Sequence, residues 1–193
     1  MKTMKKWMDR AGAAIGRPTL YWAGAGGESS QQAYPGSDFL LVSVRDYGRK
    51  GPISAIAAGA PRYRGANLRY DSGAAVLEAC DCSGFVCWAL ELKVRMNTSA
   101  IHADAIGPRA TFRRIEAPRI GCLAVYPKPP DGSERFGHVG FVSGLDHEGK
   151  PSRFVHCSGS NFAQHQDAIQ ENATDAFRRQ AATLFVWPVD ADG

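Results

Sequence analysis

The sequence lacks any long run of hydrophobic residues. No segment approaches the roughly 18 consecutive apolar residues that a membrane-spanning helix needs, so we expect no integral membrane association. A secretory signal is also missing: residues 1–10 begin with lysines, but Asp9 and Arg10 interrupt them, and the apolar stretch 11–15 is too short. We therefore expect synthesis in the cytoplasm without a Sec-type signal.

Charge of one sign is not in large excess. The net charge is +4, and the positive residues are scattered without forming a long run. This pattern gives no specific support to nucleic-acid binding and is typical of a slightly basic, solvated surface. Of the 193 residues, 44% are hydrophobic and 22% are charged, close to the average of globular proteins. Without internal repeats or low-complexity tracts, the chain 1–193 is predicted to be a single domain.

Short apolar segments predict the fold class. Four β-branched or aromatic runs, separated by Gly, Pro and Asp clusters, are typical of an antiparallel sheet: Cys122 to Tyr126, His138 to Val142, Arg153 to Cys157 and Thr183 to Val189. Three helices are predicted: Lys5 to Ile15, Cys82 to Met96 and a late helix within Glu171 to Ala182. The prediction is an α+β fold in which a helix packs on an antiparallel sheet. Residues 29–78, rich in Gly, Pro, Ser and Tyr, are interpreted as an insertion or a small subdomain.

Cysteine usage indicates chemistry more than cross-linking. The five cysteines are an odd number, and their spacing does not resemble a disulfide framework, so at least one thiol is expected to be free. Cys82 directly follows Asp81, a favourable N-cap, at the start of the best-defined amphipathic segment. Unpaired N–H groups and the helix dipole favour negative charge there, so we expect a thiolate at Cys82. Cys87 and Cys122 are interpreted as small buried hydrophobic residues.

A nucleophilic cysteine needs a base, and two histidines lie on predicted strands. If residues 144–150 form a hairpin loop, antiparallel pairing places His138 opposite His156 on one face, with Cβ atoms about 5 Å apart. One histidine can then orient the other. A slip by one residue would instead place Cys157 opposite His138 and turn His156 away. Gly137 and Gly140 would leave room for a substrate backbone, although a β-bulge would also explain them.

A zinc site would use several of the same side chains. Four ligands could come from the set Cys80, Cys82, His138, His156 and Cys157. The single residue between Cys80 and Cys82 is shorter than the usual ligand spacing, so we expect neither a metal nor another cofactor. The remaining histidines are expected to lie on the surface: His102, His147 and His165.

The segment 81–86, DCSGFV, resembles the nucleophile motif of the NlpC/p60 family of cell-wall cysteine peptidases, the bacterial branch of the papain-like fold. Three further segments, in matching order, resemble the strands of that family: 121–126 (GCLAVY), 137–142 (GHVGFV) and 154–159 (FVHCSG). The resemblance covers roughly residues 79–159 and implies a papain-like α+β fold. It also implies a Cys-His-His site, in which Cys82 attacks an amide carbonyl, His138 transfers the proton and His156 orients His138.

The resemblance also implies a substrate and an oxyanion donor. The family hydrolyses peptidoglycan stem peptides, usually between D-glutamate and diaminopimelate or lysine. Tyr21, in TLYWAG, best matches the tyrosine that shapes the oxyanion site, with Tyr63 as the alternative. Asp81 and Ser83 would line the substrate groove. About 60 residues separate Tyr21 from Cys82, more than the family pattern has, so the insertion could cover the cleft.

Several alternatives remain open at this level. The same machinery would serve a peptidoglycan amidase or a thioester acyltransferase, and a non-catalytic cell-wall binding module is a further alternative. Cys80 could form a regulatory disulfide in oxidising surroundings. Without a secretion signal, the protein would reach the wall by a non-classical, phage or type VI route. A type VI effector would need an immunity protein as a partner.

Overall fold

The structure, a computed structural model, describes residues 2–16, 19–21, 41–43, 69–71, 74–107, 111–130, 132, 136–165 and 167–192. Its helices are α1 (Met4–Ala14), α2 (Cys82–Ala89), α3 (Thr98–Ile106), α4 (Gly159–His165) and α5 (Ala176–Arg179). The early strands are β1 (Lys2–Thr3), β2 (Leu20–Tyr21), β3 (Leu41–Ser43), β4 (Arg69–Asp71) and β5 (Ala74–Cys80). The later strands are β6 (Phe112–Ile115), β7 (Leu123–Tyr126), β8 (His138–Leu145), β9 (Pro151–Cys157), β10 (Ile169–Asn172), β11 (Leu184–Pro188) and β12 (Ala191–Asp192).

A six-stranded antiparallel sheet organises the second half of the chain. Its strand order is β10-β9-β8-β7-β11-β6, and helix α2 packs against β8 and β9. The expected α+β class with an antiparallel sheet is therefore confirmed, and the four predicted strands correspond to β7, β8, β9 and β11. Within the described ranges, no helix is both long enough and apolar enough to cross a membrane.

The first half of the chain contacts this sheet through α1, where Trp7 packs on Trp187 of β11, and through the end of β5, where Cys80 contacts Cys157 of β9. Strand β2 pairs with β5 in parallel, while β3 and β4 pair with it in the antiparallel sense. Strand β5 therefore begins inside the segment 29–78 that the sequence assigns to an insertion. The apolar run Phe39 to Val44 contains β3, whereas residues 22–40 and 44–68, including Tyr63, lie outside the described residues.

Helix α2 begins where the sequence predicts and ends earlier. The Asp81 carboxylate accepts a hydrogen bond from the Gly84 N–H at 2.6 Å, so the predicted N-cap is confirmed. The helix ends at Ala89 rather than Met96 because Glu91 adopts a positive φ of 51°. The Leu92 N–H then bonds to the Cys87 carbonyl, closing a Schellman turn. A glutamate at this position gives no sequence signal for such a turn, because glycine usually occupies it.

The late helix predicted within Glu171 to Ala182 is mostly wrong. Residues 169–172 form edge strand β10, paired with β9, and only Ala176–Arg179 is helical. The edge strand extends the sheet beside the second histidine strand. This tertiary pairing outweighs the local helix propensity.

Candidate active site

Cys82 occupies the first turn of α2, at the point where the helix meets the sheet. Its side chain is buried, and its thiol hydrogen-bonds with the backbone of Val139 and of Ser83. Val139 directly follows His138 in strand β8. The packing of α2 on β8 therefore brings the thiol next to the strand that carries the candidate base.

The expected thiolate at Cys82 is not what the structure favours. Burial raises the pKa of the Cys82 thiol to about 12, and the adjacent Asp81 carboxylate adds to the shift. The two backbone hydrogen bonds lower the pKa by less than burial raises it. The positive potential of the helix terminus, which we expected to act on the thiol, is instead compensated by the Asp81 carboxylate. The thiol is therefore neutral at rest, and attack requires a base that takes its proton.

His138 and His156 lie on adjacent strands and contact each other directly. His138 Nε2 lies 2.8 Å from His156 Nδ1, and the rings are nearly perpendicular, at 88°. Burial lowers the pKa of His138 to about 3, with a smaller contribution from repulsion by His156. Burial also lowers the pKa of His156. Both rings are therefore neutral near pH 7, and His138 retains Nδ1 for a second partner.

The register behind this contact differs from the expected one. The loop spans 146–150 rather than 144–150, so Phe141 pairs with Val155, and His138 is not directly opposite His156. The difference amounts to two residues, which keeps both histidines on the same face, since side chains alternate with a period of two. The slip by one residue that would have turned His156 away does not occur.

The glycines beside His138 serve packing within the protein. A Cβ on Gly140 would lie 2.7 Å from the Cβ of His156, and one on Gly137 would lie 2.5 Å from the Thr98 hydroxyl. The space that we expected to admit a substrate backbone is therefore filled by the chain itself. The bulge in this hairpin lies farther along, between Val142 and Gly144.

Two asparagines and a phenylalanine complete the histidine side of the site, and sequence reasoning missed all three. Asn172 lies in β10, with its Oδ1 atom 2.9 Å from His156 Nε2, and Asn161 in α4 contacts Asn172. Phe177 stacks on His138 at a centroid distance of 5.2 Å. The four residues of β10, Ile-Gln-Glu-Asn, show no alternation of apolar and polar residues that would predict a strand, and the segment 171–182 is instead predicted to be helical.

Tyr21 lies close enough to Cys82 for its phenol to interact electrostatically with the thiol. In strand β2 it pairs with Cys80, and a charge on Cys82 would raise the pKa of its phenol further. Burial is the largest cause that raises this pKa well above its usual value. The Tyr21 hydroxyl therefore stays protonated and is available as a hydrogen-bond donor.

Asp81 and Ser83 form a bonded cluster at the start of α2. The Ser83 hydroxyl donates to Asp81 at 2.9 Å, and the Arg95 guanidinium pairs with the same carboxylate at 2.6 Å. Both Asp81 and Ser83 are buried. They hold the helix terminus in place, while their contact with a substrate stays a prediction. Arg95 was not identified from the sequence.

The other cysteines are buried free thiols. Cys87 contacts the Met96 backbone and Cys122 precedes β7, in keeping with their interpretation as packing residues. The Cys80 and Cys157 sulfurs lie 3.4 Å apart. This identifies Cys157 as the neighbour of Cys80, and the regulatory disulfide stays a prediction.

In the part of the chain that the structure describes, no group of three His, Cys, Asp or Glu side chains is arranged to hold a metal ion. The two histidines of the zinc alternative direct one nitrogen each at the other. Of the remaining histidines, His147 and His165 are exposed, and His102 is half-buried against the Ala182 carbonyl.

Comparison with known proteins gives no assignment: no family model, curated protein or solved structure matches this chain.

Proposed function

We propose that the chain is a papain-like cysteine hydrolase that cleaves amide bonds in peptidoglycan stem peptides. The observation that carries the proposal is the joint position of three side chains. Cys82 is the first residue of α2, and its thiol hydrogen-bonds to the backbone of Val139, the residue after His138. His138 in turn hydrogen-bonds to His156. The motif similarity of segments 81–86, 137–142 and 154–159 to NlpC/p60 peptidases supports the choice of substrate.

The chemistry follows from the neutral resting pair. As the Cys82 sulfur attacks the amide carbonyl, its proton passes to the free Nδ1 of His138, which then gives it to the leaving amine. The C–N bond breaks, and a thioester forms. Water then attacks the thioester carbon while His138 accepts one of its protons. The C–S bond breaks, and His138 returns that proton to the sulfur, which leaves a carboxylic acid and the free thiol. The backbone N–H of Cys82 and the Tyr21 hydroxyl are the donors that we assign to the developing oxyanion.

The decisive experiment is digestion of purified sacculi containing diaminopimelate. We expect the native chain to release soluble fragments that end in D-glutamate, with a new free amine on diaminopimelate. Cys82→Ala should reduce release by a factor on the order of 10³ or more, since loss of a nucleophile removes the covalent route. Cys122→Ala is the matched control, because Cys122 is also a buried thiol and its backbone bonds to Val142, four residues along β8 from His138.

Fragment release by the Cys82→Ala variant at the native rate would end the proposal. Mass spectrometry of the fragments separates the related enzymes: glycan freed of intact peptides indicates an amidase, and peptides joined through a new amide indicate an acyltransferase. Sacculi with lysine in place of diaminopimelate test the specificity.

A further inference from the structure

The histidine side of the site ends in two asparagines whose orientation is fixed by the main chain. The Asn161 Nδ2 group lies 3.1 Å from the carbonyl oxygen of His156 and 3.2 Å from that of Ala168. Carbonyl oxygens only accept hydrogen bonds, so this end of the amide must be the NH2 group. Asn161 is buried, which excludes water as an alternative partner for most of its surface.

This orientation passes to Asn172 and then to His156. Since Asn161 directs its NH2 group at the carbonyls, its Oδ1 faces Asn172 and accepts from Asn172 Nδ2 at 2.8 Å. The Asn172 Oδ1 is thereby turned toward His156 Nε2, 2.9 Å away. An amide oxygen only accepts, so Nε2 of His156 must carry a proton.

The last step sets the proton of His138. A neutral imidazole carries one N–H, so His156 with a proton on Nε2 presents a bare Nδ1. This nitrogen accepts the Nε2–H of His138 across 2.8 Å. A neutral His138 protonated at Nε2 has its lone pair on Nδ1. Burial keeps both rings neutral, since it lowers the pKa of each.

We propose that Asn161 is a positioning residue that fixes the tautomer of His138, through Asn172 and His156, so that Nδ1 is the unprotonated nitrogen. Two backbone carbonyls thus set the direction of a chain of four side chains, without any carboxylate. The inference deepens the proposed function, on which it rests, by explaining how the base is presented to the Cys82 proton in its reactive form.

Nitrogen NMR of the full-length protein, labelled with ¹⁵N in histidine, tests this directly. Protonated and bare ring nitrogens have well-separated shifts, and the His138 signals are assigned by their loss in His138→Gln. We expect the native chain to show His138 protonated at Nε2. In Asn161→Leu, nothing distinguishes the two ends of the Asn172 amide, so we expect a mixture of tautomers in roughly equal amounts.

Two control variants separate positioning from loss of structure. In Asn161→Asp, one oxygen accepts from Asn172 while the other, protonated, donates to the carbonyls, so we expect the native tautomer to be retained at lower stability. Asn97→Leu removes the cap of α3, where Asn97 Oδ1 accepts from the Ala100 N–H, and should lower stability without changing the His138 tautomer. With sacculi as substrate, Asn161→Leu should lower kcat about twofold or more at unchanged KM, whereas Asn161→Asp retains more activity.

Native His138 protonated at Nδ1, or an Asn161→Leu variant with the pure native tautomer, would overturn the inference even if digestion of sacculi requires Cys82. Conversely, the tautomer can be as proposed while Cys82→Ala still digests sacculi. In that case the proposed function fails, and the structural assignment of Asn161 stands without its catalytic role.

Discussion

The two sides of the candidate site, the thiol side and the imidazole side, differ in whether their side chains carry charge. On the thiol side, Cys82 neighbours an ion pair between the Asp81 carboxylate and the Arg95 guanidinium. On the imidazole side, His138 is hydrogen-bonded through His156 to the amide of Asn172, and these three side chains carry no charge at neutral pH. A negative charge such as that of Asp81 can cap a helix and hold a loop, but it opposes formation of a thiolate at Cys82. Neutral dipoles can direct a proton without changing the charge of the site.

Among the variants that test this comparison, we expect the largest effect on activity from a charge placed on the neutral, imidazole side. Asn172→Asp puts a carboxylate next to His156 Nε2, which raises the pKa of His156. Once protonated on both nitrogens, His156 would donate to His138 and move the proton of His138 onto Nδ1. We expect kcat/KM at pH 6 to fall about tenfold or more, with recovery as the pH rises above the new pKa.

The matched control for this variant is Asn97→Asp, which changes an exposed helix cap whose side chain accepts from the Ala100 N–H rather than contacting a histidine. The measurement is the pH profile of fragment release, together with thermal unfolding to detect loss of structure. An Asn172→Asp pH profile that superimposes on the native one would show that a charge next to His156 does not affect catalysis.

Removing the negative charge from the thiol side should have a smaller effect: it should make the Cys82 thiol easier to deprotonate. Asp81→Asn keeps an oxygen that can cap the Gly84 N–H but removes the negative charge that raises the pKa of Cys82. Burial, the larger cause, remains. We expect the midpoint of the pH dependence of thiol alkylation to fall by about one unit.

Alkylation by iodoacetamide, located by peptide mass spectrometry, measures this midpoint at Cys82 itself. Asp9→Asn is the control, because Asp9 is an exposed carboxylate that pairs with Lys5. A midpoint that stays fixed or rises in Asp81→Asn would contradict the assigned influence of the carboxylate.

The pH dependence of stability should show the smallest effect, but it still distinguishes the imidazole side of the site from the thiol side. The histidine pKa is about 6.5 in an unfolded chain, and that of folded His138 is lowered to about 3. Below about pH 6.5 the unfolded chain therefore binds protons that the folded chain does not, and stability is lost as the pH falls toward 3. Each histidine whose pKa is lowered in this way contributes up to about 1.4 kcal/mol per pH unit to this loss.

Chemical denaturation between pH 6 and pH 5 measures the slope. We expect His138→Gln to have a shallower slope than the native chain, whereas His147→Gln, which changes an exposed ring, should match the native slope. Cys82→Ala should also match it, since its thiol does not titrate in this range. An unchanged slope in His138→Gln would indicate that this ring already binds a proton in the folded state.

Much of the architecture could be predicted because it is encoded locally. The strands β7, β8, β9 and β11 are marked by apolar runs between turn residues, and Asp81 is a recognisable N-cap. The relation of His138 to His156 tolerated an error of two residues in the register, since such an error preserves the face. Local signals misled where tertiary contacts decide, as with edge strand β10 and the early end of α2 at Glu91.

By itself, the sequence determined the α+β class, the start of the helix that carries Cys82 and the placing of both histidines on one face. These follow from side-chain periodicity and capping, which act over a few residues. Only the tertiary structure decided that the thiol is neutral, that Asn161 and Asn172 extend the histidine pair, and that Gly140 makes room for His156. Burial, hydrogen-bond direction and close packing depend on neighbours that are distant in sequence, and the sequence pattern does not identify those neighbours.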